Sequence, residues 1–230
     1  MAITSTAGIN SMTTLTDQTR LWQLISPTLP VGAFNHSQAL EQAVACGSVH
    51  GETSAQAWIG GLLHRAIAHV DLPVIARVHA AWQQRDTAEV VRWNAICQAC
   101  RETSELRDED RNMGAALTQL MVELREPLPD AELGFAAAFA VAAANWSLPR
   151  ADAMAGYAWA WCENQVAATI KLVPLGHSAG QRVLLELGTQ LQTVVDTALA
   201  CPDDQIGRSS PGLAIASARH ETQYTRLFRS

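Results

Sequence analysis

Apolar residues recur at helical spacing along most of the chain, and breakers cut the pattern into pieces. In the stretch from Trp161 to Leu185, Val166, Ile170 and Val173 share one face while Glu163, Asn164 and Lys171 lie on others, which predicts a helix through Lys171. Pro174 lacks an amide hydrogen and disfavours α geometry in the residue before it, so this helix is expected to end or kink near Val173. Gly176 permits a turn, and a second helix capped by Ser178 carries Val183, Leu184, Leu187 and Leu191 toward a core.

The rest of the chain has the same rhythm. Residues 17–25 read as a short helix opened by Thr16 or Asp17, and SPTLPVG breaks it with two prolines and a glycine. Asn35 can cap the next helix, which buries Leu40 and Val44 and stops at Gly47. Residues 53–70 place Trp58, Leu62, Ala66 and Val70 on one stripe, and Asp71 then caps a helix with Pro73 in its first turn. Asp86 and Glu89 have capping-box spacing ahead of Val90, Trp93 and Ile96. About six helices are expected before residue 130, with no convincing alternating strand and no Asn-Gly or Asp-Gly hairpin. The run RETSELRDEDR, residues 101–111, mixes both signs at helical spacing and reads as a solvated helix face. Pro127 and Pro129 separate it from the alanine-rich run Leu133–Ala144, a tightly packed buried helix too short for a membrane span. The fold class is all-α, a single-domain bundle of about eight to ten helices. A flexible N-terminus covers about 1–15, and a tail of different character covers about 202–230.

Composition narrows the function. With 230 residues, 48% of them hydrophobic, the chain can bury one sizeable core. A net charge of -6 argues against nucleic acid and against an anionic membrane surface. The first eighteen residues contain neither a basic nor an apolar leader region, so a cytoplasmic address is expected. Five cysteines without dense spacing do not make a disulfide framework.

Candidate chemistry is sparse. Cys97 and Cys100 form a C-x-x-C inside a helix with no second pair, and His64, His69 and His79 lack i, i+4 pairing, so no metal site and no cofactor are expected. His220-Glu221 opens like a zinc-protease motif but lacks the second histidine. No phosphate loop, dinucleotide fingerprint or nucleophile elbow is present, which speaks against an enzyme. The tail differs. After Pro202, Gly207, Pro211 and Gly212 it sets Leu213, Ile215, Tyr224, Leu227 and Phe228 among Arg219, Arg226 and Arg229, a mixture suited to a binding surface. Its breakers suggest that removing residues 208–230 would cost few core contacts.

Three stretches in order, SPTLPVGAFNHSQALE, ENQV…KLVPLG…GQR and IASARHETQYTRLFRS, resemble the urease accessory proteins of the F type. His177 stands where that family usually has glutamine, and Ala39 where it usually has glycine. The resemblance implies a non-enzymatic factor for urease maturation by nickel insertion. It implies a homodimer that binds the D/H-type accessory protein, recruits or regulates the G-type accessory GTPase, and acts on apo-urease. Residue by residue, it assigns Lys171, Pro174 and Gly176 to the GTPase-facing or dimer-supporting region. Arg219, His220, Glu221, Tyr224, Arg226, Leu227, Phe228 and Arg229 fall to the tail that meets the D/H-type protein. It also offers a second reading of RETSELR, as a docking face. The alternative from another class is a metallochaperone holding nickel through His and Cys.

Overall fold

The computed structural model describes residues 14–208 and 210–230. The flexibility expected of the N-terminus falls mostly on residues 1–13, outside that range. Among the described residues there are eleven α-helices and no strand, one helix more than the upper expectation.

The first helix, α1, runs Leu15–Leu24, and Thr14 caps it by accepting the Asp17 amide, so the cap lies just upstream of Thr16. After the Ser26–Gly32 break and a 3-10 turn at Ala33–Asn35, α2 covers Leu40–Ala45. Its entry is left-handed at both Gln38 (φ 50°) and Ala39 (φ 63°), a conformation in which a side chain is strained. Helix α3 (Glu52–Leu62) continues into a π turn, Leu63–Ile67. Of the expected stripe Leu62 and Val70 are buried while Trp58 and Ala66 stay half-buried, and Ile59, Leu63 and Ile67 are buried beside them.

The core is built around α4 (Asp71–Gln83), which packs on α5 (Thr87–Ala99), α7 (Phe135–Asn145) and α8 (Arg150–Leu172). Helix α7 is buried on all sides, as its alanine content predicts. Asp86 caps α5 as expected, accepting the Glu89 amide, but the Glu89 carboxylate binds Arg92 instead of closing the box. Asp71 does not cap α4; it is buried at the first helical residue and bonds Arg101 and Tyr157.

Helix α6 spans Ser104–Glu123, and Gly114 on it lies against the backbone of Leu133 and Gly134, where a Cβ would come within 2.2 Å of a carbonyl oxygen. The charged run at its start is not simply a solvated face. Asp108 and Arg111 pair in solvent as that reading requires, but Arg101 is mostly buried and Glu109 and Asp110 are buried. The reason is register: Leu106, Glu109, Asp110, Met113 and Leu117 occupy one stripe, and the two acids go inward with it.

Helix α8 ends at Leu172, and Val173 takes the extended conformation that the following proline favours. Helix α9 (His177–Gly188) then starts from Gly176, which is extended with open space around it, so neither a glycine nor a Ser178 cap is demanded there. Helix α10 (Leu191–Ala200) follows, and α11 (Pro211–His220) packs on α2. The tail does not stand off the molecule. Leu213, Ala216, Ser217, His220, Phe228 and Ser230 are all buried, so its loss would open the core rather than spare it. Among the described residues no single helix is long and apolar enough to cross a membrane.

Candidate functional site

The structure gathers the chain's most distinctive stretches at one place. The loop before α2, the turn between α8 and α9, the first turns of α6 and the final residues all meet around Glu41 and Glu109.

Ser37 starts the construction. Its hydroxyl accepts the Glu41 amide at 3.3 Å and donates to the Ser230 carbonyl at 2.7 Å, which fixes both the helix entry and the chain end. Glu41, buried at the start of α2, accepts the amides of Leu227 (2.7 Å) and Phe228 (2.8 Å). Backbone donors answering a buried carboxylate remove most of its burial cost. Phe228 then drops into a small apolar cluster with Leu40, Val49, Ala168 and Val173. Lys171 lies with its Nζ 5.5 Å from the centre of the same ring, a cation–π contact that ties the α8–α9 turn to the tail.

His220 is fully buried between two helices. Its Nδ1 is 2.6 Å from Glu105 Oε2 and its Nε2 is 3.5 Å from Glu41 Oε2. Arg226 holds the other oxygen of Glu105. Glu221 accepts the amide and hydroxyl of Ser104 at 2.9 and 2.6 Å, an anion at the N-terminus of α6, and the Ser104 hydroxyl holds its carboxyl below the usual range.

Ser230 closes the seat. Its hydroxyl donates to Glu109 Oε2 at 2.5 Å and lies 3.0 Å from His36 Nδ1, while Gln38 donates to Glu109 Oε1 at 2.8 Å. Burial pushes the Glu109 carboxyl up to about 7, and the bonds from Ser230 and Gln38 only partly oppose it. Burial, helped by the positive charge of Arg229, lowers the His36 imidazole to about 4.

Beside this seat lies a second buried network. Arg101 binds Asp71 through two nitrogens at 2.7 and 3.2 Å and Asp110 at 3.2 Å, and the Tyr157 hydroxyl donates to Asp71 at 2.8 Å. The network floors a cleft of ≈ 320 Å³ whose walls include Leu24, Ile25, Leu62, Phe135 and Phe139.

Of the residues singled out in the sequence, Lys171, Pro174, Gly176, Arg219, Glu221, Tyr224, Arg226, Leu227 and Arg229 are exposed, whereas His220 and Phe228 are inside. Tyr224 stands wholly in solvent at 102%. Sequence reading took Glu105 only as part of the charged run and passed over His36, Glu41, Glu109 and Asp110 as individual groups. For the last two a signal was available, since both sit on the apolar stripe of α6. Cys97 is buried and Cys100 half-buried, burial pushes both thiols up, and Arg101 lies 3.5 Å from the Cys97 sulfur. Among the described residues no group of three or more His, Cys, Asp or Glu is arranged to hold a metal ion.

Comparison with known proteins gives a consistent picture. The UreF family model matches residues 49–188. The chain is 49% identical over 218 residues to the urease accessory protein UreF of Alkalilimnicola ehrlichii, covering 93% of this chain and 96% of that one. It is 49% identical over 221 residues to UreF of an Azoarcus species, covering 92% and 94%. Against UreF of Chromohalobacter salexigens the figure is 45% over 214 residues, covering 91% and 93%.

Proposed function

The chain belongs to the UreF family of urease accessory proteins, and on that footing we propose that it is a non-catalytic scaffold for urease maturation by nickel insertion. In this reading the scaffold is a cytoplasmic homodimer. Its tail binds the D/H-type accessory protein, and the region around Lys171, Pro174 and Gly176 recruits or regulates the G-type GTPase, so that nickel reaches apo-urease through the assembly.

The observation that carries the reading is the contact between Lys171 and Phe228. It packs the end of α8 against the tail, so the exposed groups of the two elements lie close together. The exposed groups of the tail, Tyr224, Leu227, Arg226 and Arg229, are the aromatic, apolar and guanidinium groups that dominate binding energy at interfaces. His220 and Phe228 support them from beneath by holding the tail in its seat.

The test separates surface from support. Tyr224→Ala combined with Leu227→Ala removes two solvent-facing side chains, so helicity and melting temperature should stay unchanged. Co-purification with the D/H-type protein is expected to fall by about tenfold or more, and urease activation with it. Undiminished co-purification by a folded double variant would remove the tail from the interface.

A further inference from the structure

The cleft beside the tail is a feature of the molecule that the assignment above leaves unused. Its walls are aliphatic and aromatic, with charged groups among them. Asp71, Glu102, Glu109, Asp110 and Glu163 line it with Arg101 and Arg208, but Glu109 is held by Ser230 and Gln38, and Glu163 is an acid to which the described residues bring no ion pair. Arg101 is consumed by Asp71 and Asp110 on the floor, so it does not answer the groups above it.

Glu163 sits half-buried in the wall, one turn from Ala167, which also lines the cleft. Burial alone raises its carboxyl, with no charged neighbour contributing. A partly desolvated carboxylate without a counter-charge is costly in the free protein and becomes favourable when a cation arrives. Phe34, also in the lining, is 63% exposed, an aromatic left at the open side where interfaces place their anchors.

We infer that this cleft is a docking site for a segment of the protein partner assigned above to the tail, one that inserts an apolar side chain and brings a lysine or arginine onto Glu163. Three observations select that occupant. The size of the cleft suits one or two side chains rather than a whole helix. The carboxylate of Glu163 in its wall calls for a basic group, and a second copy of this chain, with its net charge of -6, is a poor source of one. Arg208, Ser210 and Leu213, at the root of the tail, form part of the lining, so a partner reading the tail is already at the cleft. The inference therefore rests on the tail's role as the binding element for that partner.

The experiment uses the full chain co-expressed with the D/H-type accessory protein. Glu163→Lys reverses the charge in the wall, and Ala167→Trp, at an exposed position, fills the opening without entering the core. Each is expected to lower co-purified partner at least about tenfold while helicity and melting temperature match the wild type. Wild-type levels of partner on both folded variants would overturn the docking site while leaving the role of the tail intact. Failure of the wild-type chain to co-purify at all would overturn the tail reading and the docking site with it. Light scattering adds a further decision: a dimer that Glu163→Lys converts to monomer would place a second copy in the cleft and refute the proposal. If Glu163→Lys loses binding but Glu163→Gln retains it fully, introduced repulsion is responsible and the attraction proposed for Glu163 is wrong.

Discussion

Glu109 and Asp110 are neighbours on α6, each 5% exposed, yet they have opposite surroundings. Asp110 faces Arg101, which also holds Asp71, and burial's upward push on its carboxyl is opposed by that guanidinium. Glu109 faces a serine hydroxyl, an amide and a neutral imidazole, with His36 Nδ1 3.8 Å away. Burial sets the cost of an acid, and the partner decides whether the charge is kept. The Asp71–Arg101–Asp110–Tyr157 network is a charged brace between α4, the link from α5 to α6, α6 itself and α8. The Glu109 seat has, among the described residues, no guanidinium paired to its acid and holds Ser230 through hydrogen bonds.

Breaking the brace should have the largest effect. Arg101→Ala leaves two buried carboxylates without a counter-charge and should cost about 3–5 kcal/mol, read by urea or thermal unfolding. A loss below about 1 kcal/mol would mean that water reaches the acids and that the brace is not a desolvated network.

The seat answers to pH instead. Glu109 has a folded-state pKa raised to about 7 from 4.5, so its contribution is fully present below 4.5 and is lost as pH rises through 7. His36 has a folded-state pKa lowered to about 4 from 6.5, so it contributes above 6.5 and loses this as pH falls toward 4. The two trends oppose each other in the wild type. Relative to it, Glu109→Gln should gain stability as pH rises from 4.5 to 7, and His36→Gln should lose it, each by about 3 kcal/mol. Parallel pH profiles for all three proteins would show that the seat is open to water.

Strain distinguishes the regions on a smaller scale. Gln38 and Ala39 are both left-handed at the edge of the seat, whereas none of the four brace residues has a positive φ. Ala39→Gly should therefore stabilise the protein by about 1 kcal/mol despite the added freedom of the unfolded chain. An unchanged or lowered melting temperature would mean that the buried methyl group of Ala39 is worth more than its backbone strain.

The comparison also marks how far the residues could be read in advance. Periodicity and breakers are local, so the all-helical class, the buried alanine helix and the stop before Pro174 followed directly from residues a few positions apart. The family motifs were equally local and brought Lys171, Tyr224 and Phe228 to attention. The π turn after α3 was not legible, because one inserted residue leaves the apolar pattern almost intact.

What only the tertiary structure decided is the partner of each buried polar group. Asp71 looked like a cap because Pro73 follows it, and RETSELRDEDR looked like a solvent face because its charges pair well along a helix. Arg101 instead reaches back thirty positions to Asp71, Glu41 takes amides 186 and 187 positions away, and Glu109 takes a hydroxyl 121 positions away. Those bonds repay desolvation only after the helices have packed. Short-range spacing therefore determines which segments are helices, and the closing of the fold determines which acids lie inside it and what holds them there.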